Sequence, residues 1–320
     1  TGADEARPVD VRIAAGDAAF GILGGLRLSE LDTYLTGRDR FLKRAAYRAL
    51  GELVRGGASG SSVQASLTAG LADADPGVRG ASARALAAFG TPEALAQILA
   101  LETDADADVQ ADVALALQAF GAPQFADTVG PAVVGFVQSG EPAVIAAGVA
   151  TLAALQQRNL ISIVLDKVQY PDARVRAAAL RAAADLADPG ELQPVINAMN
   201  AALRDPELPN RVLGAQLLGR FNDPLAVLSL SQVVNGPVPE LRFAAIGALG
   251  QTRHDDAVGT LLALLEDPDR EIRLAAVQAL TALNRVSALP GIQAQVARET
   301  DPASVEALQR LVTHLQTHGS

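Results

Sequence analysis

The chain of 320 residues has no cysteine and no tryptophan, and aromatic residues make up only 3% of it. Without cysteine the chain can form neither a disulfide nor a thiolate metal site, so cysteine usage leaves its compartment open. A cytoplasmic location is favoured. An exported form that has lost a leader is the alternative, because the first residue is Thr1 and not Met.

Positive charge and long apolar runs are also scarce. The 26 basic residues are outnumbered by 36 acidic ones, which gives a net charge of −10. Nucleic-acid binding needs a basic surface that neutralises phosphates, so we expect no nucleic-acid partner. No apolar run approaches the roughly 18 to 20 residues of a membrane span. The nucleophile, Walker and dinucleotide motifs are missing too, and we therefore predict a protein that is not an enzyme and carries no cofactor.

What the sequence has in abundance is one repeated pattern, seen most clearly in the segment 267–280, DPDREIRLAAVQAL. A leucine or β-branched residue, here called the marker, is followed by a long polar residue, and Ala-Leu comes seven and eight positions after the marker. The markers are Leu42, Val78, Val109, Val144, Val175, Leu208, Leu241, Ile272 and Val305, separated by 31 to 36 residues. Such a period is typical of a solenoid of stacked helical or mixed units.

The second half of each unit shows which kind of solenoid this is. After the marker segment of Val78 comes Thr91, a favourable N-cap residue, and then Pro92 at the first helical position and a run with helical apolar spacing. Strand-like alternation never extends beyond a few residues. The unit is therefore predicted to be helix, turn, helix, and the fold to be all-α.

The frame D-P-x-V-R-x-x-A-x-x-A-L resembles the HEAT-like repeats of the phycobilisome-lyase type, from Asp39 to about Thr313. This resemblance implies a right-handed α-α superhelix of about nine or ten helix pairs. We expect residues 1–38 to form an N-terminal capping repeat. Residues 39–320 are expected to form the solenoid, continuous with the cap as one elongated domain.

The cation after the marker recurs together with an acid three or four residues before it. A single such pair could clamp a substrate, but several are better explained as structure, because an Asp at a helix start caps free N–H groups and can meet the Arg of a neighbouring unit. The resemblance implies the same. The predicted structural ladder comprises Asp75, Arg79, Asp172, Arg176, Arg242, Asp269 and Arg273.

Two groups of residues are candidate metal ligands. Asp104, Asp106 and Asp108 match the start of a calcium loop, but Val109 stands where that loop needs Gly and Leu115 where it needs Glu. The three histidines, His254, His314 and His318, have no carboxylate at a ligand spacing. The iron-dependent hydroxylases of the resembled family are recognised by His-Glu pairs, and this chain has none. We therefore predict no metal site.

The helix that contains the marker is expected, from the family resemblance, to line the concave side of the arch. Its outward positions are unusually small or apolar along much of the chain, as a groove for a peptide or helix would be. Curvature or a neighbouring helix covering these positions, or self-association of the chain, remain open alternatives. The predicted binding residues are Arg44, Tyr47, Arg48, Leu115, Val149, Leu180, Arg181, Phe243, Ile246, Leu274 and Val277.

These observations favour a non-catalytic scaffold that binds a protein or peptide, because a scaffold needs only a repeated surface whereas catalysis needs polar groups that converge in one pocket. The alternatives are an accessory or chromophore-lyase-type protein of the same repeat family and a structural domain of a larger assembly. The identity of the partner is not readable from the sequence.

Overall fold

The computed structural model describes residues 28–57 and 60–319, and every regular element in this part of the chain is a helix. The all-α prediction is therefore confirmed for these residues. The first helix predicted for the capping repeat lies outside the described residues. Its predicted partner helix, opening at Leu28, is present as α1 (Leu28–Leu35).

Contacts between residues divide the chain into two compact units, Thr1–Ile163 and Val164–Ser320. The helices of the first unit are α1, α2 (Arg40–Arg55), α3 (Ser61–Gly70), α4 (Pro76–Leu86), α5 (Pro92–Leu99), α6 (Ala107–Ala116), α7 (Ala126–Val137) and α8 (Pro142–Ala154), and α9 (Ile161–Asp166) contains the boundary. The second unit contains α10 (Ala173–Leu186), α11 (Gln193–Ala202), α12 (Leu208–Leu218), α13 (Pro224–Val233), α14 (Pro239–Gln251), α15 (Ala257–Ala263), α16 (Arg270–Leu283), α17 (Leu289–Val296) and α18 (Pro302–His318). The expectation of a single elongated domain stays a prediction.

The nine markers lie in nine different helices, which are the even-numbered helices α2 to α18. We call these the marker helices and the intervening odd-numbered ones the second helices. Within each unit a marker helix packs against the next marker helix and against a second helix, as in α2 with α4 or α14 with α16. This alternation is the stacked helix-pair arrangement that the sequence period predicts.

Local sequence explains where these helices begin and end. Asp39 caps α2 by accepting hydrogen bonds from the backbone N–H groups of Phe41 and Leu42 at 2.9 and 3.0 Å. Thr91 caps α5, and Pro92 then occupies a first-turn position where no backbone donor is needed. At its C-terminal end, α16 stops at Asn284, whose φ of 57° is left-handed.

The core is built mainly from Ala, Val and Leu, and these small side chains let the marker helices come close together. One close approach of two backbones involves glycine: a Cβ built on Gly250 would lie 2.7 Å from the carbonyl oxygen of Ala279 on the next marker helix. Thr151 is one of few buried polar side chains, and it donates to the carbonyl of Ala114 at 2.8 Å. Stacking therefore depends on helix backbones in near contact.

Candidate functional site

The long polar residue after the marker forms an ion pair with an acid in the loop before the next marker helix. Both nitrogens of the Arg79 fork, Nε and Nη2, donate to Asp104 at 2.8 Å, and Arg176 donates in the same way to Asp205 at 2.6 and 2.8 Å. Such two-point contacts are the strongest kind of Arg–carboxylate pair. The remaining pairs are Lys43 with Asp73, Arg242 with Asp267 at 2.7 Å, and Arg273 with Glu299 at 3.1 Å. We call these five the ladder pairs.

The ladder arginines also bind backbone. Arg79 donates to the carbonyl of Asp73 at 2.9 Å, Arg176 to that of Pro171 at 2.7 Å, and Arg273 to that of Asp267 at 3.0 Å. Each of these carbonyls belongs to the loop that leads into the arginine's own helix. One guanidinium group therefore joins its own loop to the loop of the following repeat.

The three acids of the predicted ladder cap helix starts, but other acids form the ion pairs with the basic residues that follow the markers. Asp75, Asp172 and Asp269 cap their own helices by accepting from backbone N–H groups. The acid that binds the basic residue of the preceding repeat stands two residues before the caps Asp75 and Asp269, whereas a tyrosine occupies that position before Asp172. Of the three, Asp75 also pairs with an arginine of the preceding repeat, Arg44, at 2.6 and 3.0 Å. Asp172 instead pairs with the adjacent Arg174.

A short motif, acid-x-acid, could have revealed the true partners. In segments 73–75, 104–106, 205–207, 267–269 and 299–301 the first acid binds the basic residue and also accepts the backbone N–H of the second, at 2.8 to 3.0 Å. The supposed calcium run contains one such motif, since Asp104 binds Arg79 and Asp106 caps α6. Among the described residues no group of three or more potential ligands is placed to hold a metal.

Four ladder acids, Asp73, Asp104, Asp205 and Glu299, are stabilised in their charged form. The hydrogen bond from Arg79 lowers the pKa of Asp104, and that from Arg176 lowers the pKa of Asp205, in both cases against the opposing effect of burial. Burial raises the pKa of Asp73, but hydrogen bonds from Lys43 and from the backbone outweigh it and the pKa is lowered. The N–H of Asp301 is the main cause of the lowered pKa of Glu299.

These shifts predict how stability depends on pH. A carboxyl group with a lowered pKa in the folded chain stabilises the fold above its unfolded pKa, about 4, and this contribution is lost as the pH falls through the folded value. The urea midpoint should therefore stay level from pH 8 to about 5 and fall below about pH 4. Urea titrations followed by circular dichroism test this, and a midpoint that already drops near pH 6 would contradict it.

Part of the predicted binding face is buried in the structure and cannot contact a partner. Five of its eleven residues are less than 8% exposed, and each of the five stands five positions after a marker: Tyr47, Val149, Leu180, Ile246 and Val277. The prediction treated a marker helix as buried on one side only. In the structure a marker helix packs against neighbouring marker helices as well as a second helix, so its buried arc is wider and includes this position.

The other six predicted residues stand two or six positions after a marker and remain accessible. Arg48, Arg181 and Phe243 are exposed, whereas Arg44, Leu115 and Leu274 are half-buried. We call the set formed by these six and Arg84, which also stands six positions after its marker, the accessible stripe. It is the part of the marker helices that a partner can reach.

In the first unit the accessible stripe contains a charged pocket of about 480 Å³ between α2, α4 and α6. Its charged side chains are Arg44, Arg48, Glu52, Arg55, Arg84, Asp108 and Asp112. We call it the arginine pocket. The side chain of Arg84 is 54% exposed although it pairs with Asp112 at 3.2 Å, so its guanidinium group is held in place and still reachable.

Two glycines make the arginine pocket possible. A Cβ on Gly77 would lie 2.3 Å from Nε of Arg44, and a Cβ on Gly80 would lie 2.2 Å from an oxygen of Asp112. Both distances are shorter than real contacts allow. The missing side chains therefore let Arg44 and Asp112 lie directly against the α4 backbone, where Arg44 also reaches Asp75.

Asp112 differs electrostatically from the ladder acids. Burial raises its pKa, and the nearby Arg84 and Arg48 offset this effect only in part. The charged form of its carboxylate is therefore disfavoured by burial and is stabilised by Arg84 and Arg48. The pocket alternates positive and negative groups, an arrangement suited to a partner that carries charges of its own.

Comparison with known proteins gives a consistent picture. The sequence profile of HEAT repeats matches residues 64–132, 197–281 and 227–311. The X-ray structure of YibA from E. coli aligns with a TM-score of 0.59 at 16% identity, covering 83% of this chain and 95% of that one. No curated protein sequence matches the chain.

Two further solved structures align over more of the chain but less closely. An engineered protein has a TM-score of 0.48 at 18% identity and covers 99% of this chain and 97% of its own. The complex of CpcE and CpcF of phycocyanin lyase from a Nostoc species has a TM-score of 0.42 at 19% identity, covering 91% and 95%. No described helix has both the length and the apolar character that crossing a bilayer requires.

Proposed function

The chain belongs to the HEAT-repeat family, and from this premise we propose that it is a non-catalytic scaffold that binds a protein or peptide along its accessible stripe. HEAT repeats are protein-interaction scaffolds, and this agrees with a repeated surface that lacks converging catalytic groups. The single observation that supports the proposal best is the arginine pocket, where three successive marker helices hold charged groups at the surface.

The geometry of the pocket favours binding over chemistry. Its side chains are arginines and carboxylates that already pair with one another, such as Arg84 with Asp112 and Arg55 with Glu52. No serine, threonine, histidine or lysine lies among its lining residues, so the pocket offers no hydroxyl or amine nucleophile next to a base. An acidic group of a partner could pair with the exposed guanidinium group of Arg84 and so replace its contact with Asp112.

In the second unit the accessible stripe contains the exposed Arg181 and then two apolar residues, Phe243 and Leu274. Phe243 is 40% exposed, which is unusual for a large hydrophobic residue in this chain, and Leu274 occupies the equivalent position on the next marker helix. Aromatic side chains of this kind often contribute most of the energy at a protein interface. The proposed partner therefore presents an apolar side chain here and acidic groups at the arginine pocket.

Replacing Phe243 with aspartate should weaken partner binding by at least about tenfold, because the new carboxylate would lose its water without gaining a partner. The partner is first recovered by affinity purification from the source organism and identified, and the affinity of the purified pair is then measured by calorimetry. The urea midpoint should change little, since Phe243 is well exposed.

Val286→Asp is the matched control. Val286 is also in the second unit and is 42% exposed, but it lies outside the accessible stripe. We expect this variant to bind the partner like the unmodified chain. Equal loss of binding in the two variants, or none in either, would mean that the partner does not use the stripe at Phe243.

A further inference from the structure

A second surface, on the other side of the second unit's helix pairs, has the features of a docking groove. It lies between the second helices α11 and α13 and has a volume of about 470 Å³. Its apolar lining is formed by Leu203, Leu225, Leu228, Val233, Pro237 and Val238. None of these residues belongs to the accessible stripe.

Leu228 stands out in this groove because 55% of its surface is exposed. An isolated exposed leucine is ordinary, but this one is surrounded by further apolar side chains in a concave surface. In the next repeat the equivalent position is Gly259, which is also exposed but has no side chain. The apolar groove is therefore a local feature and not a consequence of the repeat.

One wall of the groove is held rigid. The loop after α13 contains Pro237, and Pro239 opens α14; the φ angles of both residues are fixed by their rings. The carbonyl of Val234 accepts a hydrogen bond from the ladder residue Arg242 at 2.6 Å, and the N–H of Gly236 donates to Val233 at 2.9 Å. A wall that is already ordered loses little entropy when a ligand binds.

The kind of ligand follows from what the groove offers. Two of its walls are helices whose backbone groups bond within the helix, and in the loop wall Pro237 has no N–H while the N–H of Gly236 is already bonded. An added β-strand would therefore find no continuous edge to pair with. It has no aromatic lining residue, which recognition of a proline-rich segment requires. The remaining common mode is an amphipathic helix that inserts apolar side chains spaced i and i+4.

A charged residue at the rim of the groove further limits the kind of helix that can bind. Arg204 lines the groove and is exposed, and its side chain forms no hydrogen bond or ion pair with any described residue. A carboxylate beside the apolar anchors would supply the missing partner. We propose that this groove binds an amphipathic helix that carries two apolar anchors at i and i+4 and an acidic residue facing Arg204.

The test uses a panel of lactam-stabilised helical peptides with Leu, Ile, Phe or Met at i and i+4 and a glutamate at each flanking position in turn. Binding to the whole chain is measured by fluorescence anisotropy. At least one peptide should bind with about micromolar affinity and ten times more tightly than its scrambled version. Leu228→Glu should reduce this affinity at least tenfold, whereas Val286→Glu, at an exposed apolar residue outside the groove, should not change it.

Charge exchange separates specific docking from general stickiness. Arg204→Glu should reduce the affinity of the chain for the glutamate peptide about tenfold. The same variant should bind the corresponding lysine peptide more tightly than the unmodified chain does. If no peptide exceeds its scrambled version, or if the lysine peptide fails to recover affinity, the proposal is wrong. Phe243→Asp should leave peptide binding unchanged, so the outcome is independent of the function proposed for the accessible stripe.

Discussion

Replacing Arg176 with alanine should lower the free energy of unfolding of the second unit by about 3–5 kcal/mol, the usual cost of removing one partner from a buried ion pair. Arg176 and Asp205 are only 9% and 8% exposed. Without the guanidinium group, the carboxylate of Asp205 would lose its charged partner and keep the backbone N–H of Glu207 at 2.9 Å and the side chain of Asn210 at 3.4 Å. Urea titration with hydrogen exchange of the α10 and α12 amides measures the loss.

Arg174→Ala provides the control on the same helix. Arg174 pairs with Asp172 across an exposed surface, and its side chain is 73% exposed. Exposed ion pairs contribute less than about 1 kcal/mol, so this variant should differ little from the unmodified chain. If the two variants lose the same free energy, the ladder pairs do not join the repeats as described.

The second large effect concerns a single methyl group. Gly250→Ala should destabilise the second unit by about 1–3 kcal/mol, because the added Cβ would lie 2.7 and 2.8 Å from the oxygen and Cα of Ala279. These are backbone atoms of the next marker helix and cannot rotate away. The helices α14 and α16 would have to separate, which opens the core on both sides.

Gly247→Ala, one turn earlier on the same helix, should increase the free energy of unfolding, which is the opposite of the effect expected for Gly250→Ala. A Cβ there would meet nothing within 4 Å, and the position is exposed. Replacing a glycine inside a helix with alanine stabilises it by about 0.5–1 kcal/mol. The pair of urea midpoints therefore tests close marker-helix packing, and two shifts in the same direction would argue against it.

The order of the helices was predictable because each repeat carries its own signals. The marker Val78, its cap Asp75 and the pair Thr91-Pro92 specify one helix, one turn and the next helix from local sequence alone. The same signals recur at a fixed period, so errors in one repeat did not spread to the others. Ile272 and Arg273, the marker and the following cation of the clearest copy, define the positions at which the other copies are found.

Contacts between repeats were harder to predict. Tyr47 and Ile246 were expected on an outward face, but both are buried, because the small residues of this chain bring adjacent marker helices close enough to cover them. Periodicity within one helix carries no information about the distance to its neighbour. For Tyr47 that distance depends on Gly70 of the following helix, where a Cβ would lie 2.3 Å from the Tyr47 ring.

The ladder acids were missed for a related reason. Asp73 and Asp104 stand outside the helices, in loops where acids are expected merely as surface residues. The cap Asp75, three residues before Val78, was easier to recognise and was given both roles. In the structure Asp104 pairs with the basic residue that follows the marker and Asp106 caps the helix, although Asp75 both caps its helix and pairs with Arg44.

The most direct test of the scaffold proposal is site-specific photo-cross-linking of the chain to the partner recovered with it. A photoreactive amino acid is placed at Arg84 or Phe243 on the accessible stripe, and at Glu93, an exposed residue of the second helix α5, as the reference position. The proposal predicts cross-links from the two stripe positions and little from Glu93. Cross-links from Glu93 with none from Arg84 and Phe243 would contradict it.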